Sequence, residues 1–156
     1  MLLIISFIVN NILLLYLPYL PSNISFFMPL LPLVTLVYLY PKTKNKEIIK
    51  KLIIITIICS MIFNDYFLVN LLAYFITFLF IDYLYTRYKY SMLIYFISIL
   101  GAILIYLSSY FIILFIVGFK GLSIILLLKQ ISSSIIINLF YAAFLYYIFG
   151  LKKGLA

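Results

Sequence analysis

Long uncharged runs alternate with a few short polar intervals along the whole chain. A bilayer core of ~30 Å takes about 20 apolar residues at ~1.5 Å rise each. On that ruler the pattern predicts an all-α integral membrane protein of about six transmembrane helices, over 2–20, 24–40, 48–63, 67–85, 91–117 and 131–149. With 156 residues the chain is then one polytopic domain, with no room for a soluble one.

The breaks between runs carry detail. The first run lacks the positive start and small-residue cleavage site of a secretory signal, so it reads as a retained helix. Pro18, Pro21, Ser22 and Asn23 end it in an uncharged turn. The second run carries Pro29 and Pro32 near its start and stops at Pro41, which predicts a kinked or irregular beginning. The apolar stretch 52–63 is short, and crosses only if 47–51 form its first turn with the lysine stems snorkelling to the interface. Asn64, Asp65 and Tyr66 then form a tight external turn. The 91–117 run is longer than a bilayer requires and should tilt or project. After the break at 118–121, residues 123–130 could start the last helix or lie along the outer surface. A lysine deep in hydrocarbon costs roughly 2.5 to 3.5 kcal/mol, so Lys129 places this segment at the interface and starts the sixth span at 131.

Charge orients the chain. Five lysines, Lys42, Lys44, Lys46, Lys50 and Lys51, fall within 41–51. Arg87 and Lys89 follow the fourth run among Tyr83, Tyr85, Tyr88 and Tyr90, and Lys152 and Lys153 follow the sixth. Positive charge near short loops stays cytoplasmic, which assigns nine of the eleven basic residues inside, leaves Lys120 and Lys129 outside and puts both termini in the cytoplasm. The expected location is a cell membrane, crossed several times.

Composition limits the chemistry. The chain has no His, one Cys (Cys59) and three acids, Glu47, Asp65 and Asp82. A His/Cys metal centre is excluded, a Ser or Cys nucleophile lacks a His base, and no cofactor is implied, so the chain reads as a non-enzyme. The net charge of +8 needs no nucleic acid, because a chain that is 69% apolar has almost no solvated face to present to one.

Polar side chains inside the runs ask for partners, because lipid supplies none. Asn10, Asn11, Asn70 and Asn138 read as interhelical hydrogen bonds or as contacts to a ligand or partner. Asp82 is expected to pair with Arg87 or Lys89. Asp65 could cap the following helix or meet Lys129, and Ala142 and Ala143 are the best candidates for a close helix contact.

Two stretches carry a likeness. Met28-Pro29 through Tyr40-Pro41-Lys42 form a proline-marked helix ending in a basic-Pro turn. Gln130-Ile-Ser-Ser-Ser134 is followed by Ile137-Asn138-Leu139-Phe140-Tyr141. Between them, Ser60-Met61-Ile62-Phe63-Asn64-Asp65 approximates a Gly-apolar-apolar-aromatic-Asp ending, with Ser60 in place of the glycine. In this order of landmarks the chain resembles the bacterial rod shape-determining MreD family over nearly its full length. The resemblance implies a membrane scaffold of the cell-elongation machinery, working in cell shape and lateral wall synthesis beside a bitopic MreC-like protein, the actin-like MreB and the wall polymerase complex. Asn64, Asp65, Lys129, Asn138 and Tyr141 would then be candidates for partner contact or for interhelical polar contact, with the lysine loop meeting lipid or filament. The alternative is a substrate-binding membrane subunit of an energy-coupling-factor type importer. Such subunits dock through small residues on the first helix, where this chain has only Ser6.

Overall fold

The computed structural model describes residues 2–16, 29–42, 54, 67–119 and 122–150. They are helical, with no strand among them. In chain order they form α1 (Leu2–Tyr16), α2 (Leu31–Leu39) with a 3-10 turn over Tyr40–Lys42, α3 (Phe67–Arg87), α4 (Met92–Ile116) and α5 (Ile124–Leu145), which runs on into a π turn over Tyr146–Gly150. Among the described residues three helices are long and apolar enough to cross a membrane: Leu68–Arg87, Met92–Ile116 and Ile124–Phe149. The expected third span, 48–63, lies outside the described residues except for Ile54.

The helix ends follow local chemistry. Ser91 caps α4, its hydroxyl accepting from Ile94 N at 3.2 Å, and Ser123 caps α5 in the same way through Leu126 N at 3.1 Å. Gly118, with φ of 83°, turns the chain out of α4, a conformation that costs glycine nothing. The structure differs from expectation at the start of the last span. Residues 124–130 are not a separate surface segment but the first turns of one continuous helix. No Pro or Gly interrupts the chain between Ser123 and Gly150, so nothing stops the helix once Ser123 has started it. Twenty residues separate Lys129 from Phe149, a rise of about 30 Å, so a straight helix delivers Lys129 to the far interface without a break.

The arrangement centres on α2. It packs against α1, α4 and α5, while α3 pairs with α4 and α4 with α5. Every residue of 31–38 is buried, from Leu31 to Tyr38, with no polar face at all. A helix that is apolar all round belongs inside a bundle. Yet α2 and its 3-10 turn together rise only about 20 Å, short of a bilayer core. Its beginning therefore lies inside the protein, where backbone N–H groups have no water.

Hydroxyls elsewhere in the helices turn back on their own backbones. Thr77 donates to Ala73 O at 2.7 Å, Ser98 to Ile94 O at 2.6 Å and Ser109 to Ile105 O at 2.6 Å. These bonds satisfy the groups without demanding a partner helix. Of the two alanines expected at a close contact, Ala142 is fully buried, its carbonyl accepting from the Tyr95 hydroxyl at 3.1 Å, whereas Ala143 is exposed.

Candidate functional site

Pro29 and Pro32 dictate the first feature. Leu30 precedes α2 in a non-helical conformation and Pro32 sits in the first turn. The N–H groups that open a helix have no intrahelical acceptors, and here they are buried. Two asparagines from flanking helices supply the acceptors. Asn138 Oδ1 of α5 accepts from Leu30 N at 2.7 Å, and Asn10 Oδ1 of α1 accepts from Leu31 N at 3.1 Å. Asn138 is anchored in turn by donating from Nδ2 to Ser134 O at 2.8 Å. One turn further on, Thr35 donates to Leu31 O at 2.9 Å and shares a hydrogen bond of 3.1 Å with the Tyr141 hydroxyl. The knot thus draws α1, α2 and α5 together through side chains that cap a helix in trans. Asn138 lies eleven residues before Phe149, about half a bilayer core along α5.

The second feature lies where α2 ends. Tyr40 stacks on Tyr85 with ring centres 5.5 Å apart and tilts against Phe78 at 5.9 Å. Its hydroxyl donates to Asp82. This corrects the expectation for Asp82: Arg87 is five residues on and Lys89 is past the helix end, whereas neighbours on a helix face are three or four apart. The carboxylate instead takes its hydrogen bond from α2's end. Burial, followed by neighbouring Tyr38 and Tyr146, pushes Tyr90 up to about 12. Lys42 lies 3.7 Å from the centre of the Tyr38 ring and also donates to the Tyr38 hydroxyl. Deeper in, Tyr95 stacks on Tyr146 at 5.7 Å and meets Tyr38 edge-on at 6.0 Å.

At the other end of the bundle the Tyr106 hydroxyl donates to Asn70 Oδ1 at 2.6 Å, with Tyr74 tilted against Tyr106 at 4.9 Å. The Asn70 amide nitrogen meets no acceptor among the described residues. On α5, Lys129 is exposed and its carbonyl accepts from Ser132 at 3.0 Å and Ser133 at 2.9 Å.

Of the residues singled out from sequence, Asn138 and Tyr141 are brought together on α2, and Lys42 sits at its far end. Lys129 stands well away, on the first turns of α5. Asn64, Asp65, Lys44, Lys46, Lys50 and Lys51 lie outside the described residues. Sequence reasoning missed Thr35 and Tyr40 as partners of Tyr141 and Asp82. The paired prolines at 29 and 32 could have signalled a helix start needing caps from elsewhere. Chemically the knot holds helices, because its buried side-chain oxygens engage backbone or a neighbouring hydroxyl, whereas in the aromatic cluster the buried Tyr85 hydroxyl meets no partner among the described residues. No family model, no curated protein and no solved structure matches this chain.

Proposed function

We propose that the protein is a non-enzymatic membrane scaffold of the bacterial cell-elongation machinery, working in cell shape and lateral wall synthesis through an MreC-like bitopic partner. It sits in the cell membrane with about six crossings and both ends cytoplasmic, as the placing of its basic residues favours. The observation that carries this reading is the meeting of the two stretches on which the family resemblance rests. The proline-marked start of α2 and the Asn138–Tyr141 stretch of α5 are 108 residues apart at Leu30 and Asn138, yet they bond directly. Landmarks that fit together this way act as one architectural element rather than as isolated sequence coincidences. The polar groups around them are consumed in holding helices, which suits a scaffold.

The importer alternative fares worse on one point. Ser6, the one small residue of α1, is 1% exposed and donates to Leu3 O at 2.7 Å, while Ile4, Ile5, Ile8, Ile12 and Leu15 make the exposed face bulky. A docking helix that must approach closely needs small residues outward.

The test is a crosslinked pull-down of the tagged chain from its native membrane, with mass spectrometry of proteins and small molecules. Recovery of an MreC-like protein and wall polymerases supports the scaffold. Recovery of paired ATPases with a coupling membrane protein, or of a vitamin, refutes it.

A further inference from the structure

Where α3 ends, Tyr40, Tyr85, Arg87, Tyr88, Lys89 and Tyr90 surround an open cleft of about 460 Å³, within the size range of small-ligand sites. Its walls are aromatic, with Tyr85 stacked on Tyr40 at 5.5 Å and 6.3 Å from Tyr90. Its charges are Arg87 and Lys89, and neither pairs with Asp82, the one acid among the described residues, which is engaged by Tyr40 and does not line the cleft. The Arg87 guanidinium lies over the Tyr83 ring at 5.0 Å. Tyr83 in turn heads an exposed apolar stripe down α3, continuing through Leu79, Ile76 and Leu72 at helical spacing. Arg87, which lines the cleft and lies over Tyr83, thus links a basic, ring-walled cleft to an apolar track on α3 about as long as an acyl chain, at the aromatic level where a membrane helix meets water.

We propose that this cleft binds the phosphate of an anionic phospholipid, with Arg87 and Lys89 as its cations, the tyrosine rings as its walls and the Leu72–Tyr83 stripe as the track of one acyl chain. Arginine and lysine both pair with phosphate oxygens, arginine with two at once. The site is independent of the partner assignment above.

The test uses the full chain, delipidated in detergent, with native mass spectrometry on adding phosphatidylglycerol, phosphatidylcholine or inorganic phosphate. The wild type should retain one phosphatidylglycerol per chain at concentrations where phosphatidylcholine is lost. R87Q/K89Q should weaken that binding by about fivefold for each cation and about thirtyfold together, since each basic group near an anionic surface contributes about 1 kcal/mol. K152Q/K153Q, which removes the same charge near the end of the chain, should stay within twofold of wild type. Thermal unfolding of each variant verifies that it is folded. The proposal is overturned if R87Q/K89Q binds within threefold of wild type, or if K152Q/K153Q loses as much, which would make the attraction diffuse charge. Displacement of the lipid by inorganic phosphate would also overturn it, by making the ligand a soluble anion.

Discussion

Replacing Asn138 with Leu tests the trans-capped helix most severely. Leucine keeps asparagine's skeleton branched at Cγ and is the larger side chain, so no cavity opens, but the acceptor for Leu30 N is lost. Asn138 is fully buried and Leu30 is 3% exposed, so water cannot replace it. Leaving a buried N–H unpaired costs about 1–3 kcal/mol, and losing a helix cap costs about 0.5–2 kcal/mol. Side-chain hydrogen bonds between membrane helices average only ~0.6 kcal/mol, because alternative partners are found in the unfolded state. Leu30 N has no such alternative once α2 is packed, so the upper part of the range applies, about 2 kcal/mol. Asn10→Leu should cost less, about 1 kcal/mol, because its bond is longer (3.1 against 2.7 Å) and Asn10 is 8% exposed. Both residues hold the same helix start. Once one is gone α2 can shift, and the double variant should fall short of the sum by 0.5 kcal/mol or more, the mark of coupled sites. Reversible unfolding in mixed micelles, run as a double-mutant cycle, measures all three. An Asn138→Leu cost below about 0.5 kcal/mol, or strict additivity, would refute the capping argument.

Other outcomes follow from the same packing. A Cβ at Gly101 would lie 2.5 Å from the tip of the half-buried Phe80 ring, which must swing aside, so Gly101→Ala should destabilise the α3–α4 pair by about 1 kcal/mol, the low end of what overpacking costs. Phe80→Leu in the same chain should recover most of that loss on melting. Tyr40→Phe removes the donor to Asp82 and should lower stability by about 1 kcal/mol, since the pair is only partly buried. Asp82→Asn in the Tyr40→Phe background should then cost little more. Tyr90, raised to about 12 from an ordinary value near 10, favours the folded state fully below pH ~10 and loses that contribution as pH rises through 12. The difference in tyrosinate absorbance between wild type and Tyr90→Phe should show one phenol titrating near 12, and a midpoint near 10 would contradict the upward shift. Changing Lys42, Lys44 and Lys46 to Gln should alter membrane topology, read by accessibility labelling, while partner recovery persists in molecules still correctly oriented.

The parts of the fold legible in the sequence are those where a single run decides the outcome. The helices Phe67–Arg87 and Met92–Ile116 lie where long apolar runs end in Arg87 and begin after Ser91, because length and capping are local properties. The start of α5 was less legible. Lys129 marks an interface, but an interface does not break a helix, and the Pro or Gly that would break it is absent around Lys129. The partners of polar residues were least legible. That Asn10 and Asn138 need hydrogen bonds follows from their apolar surroundings. That both serve the backbone of α2 depends on how three helices meet, for which no short-range pattern exists. Asp82 makes the same point: two cations stood near it in sequence, and helix geometry turned it toward Tyr40 instead.

The most direct measurement of the central claim is depletion of the protein in the cells that carry it, with cell width and the sites of new wall insertion followed by microscopy. A scaffold of lateral wall synthesis predicts that rods widen and round as the protein is lost, with insertion no longer spread along the cylinder, and that Asn138→Leu fails to restore shape in proportion to its loss of folded protein. Cells that keep their width and insertion pattern while the protein disappears would contradict it.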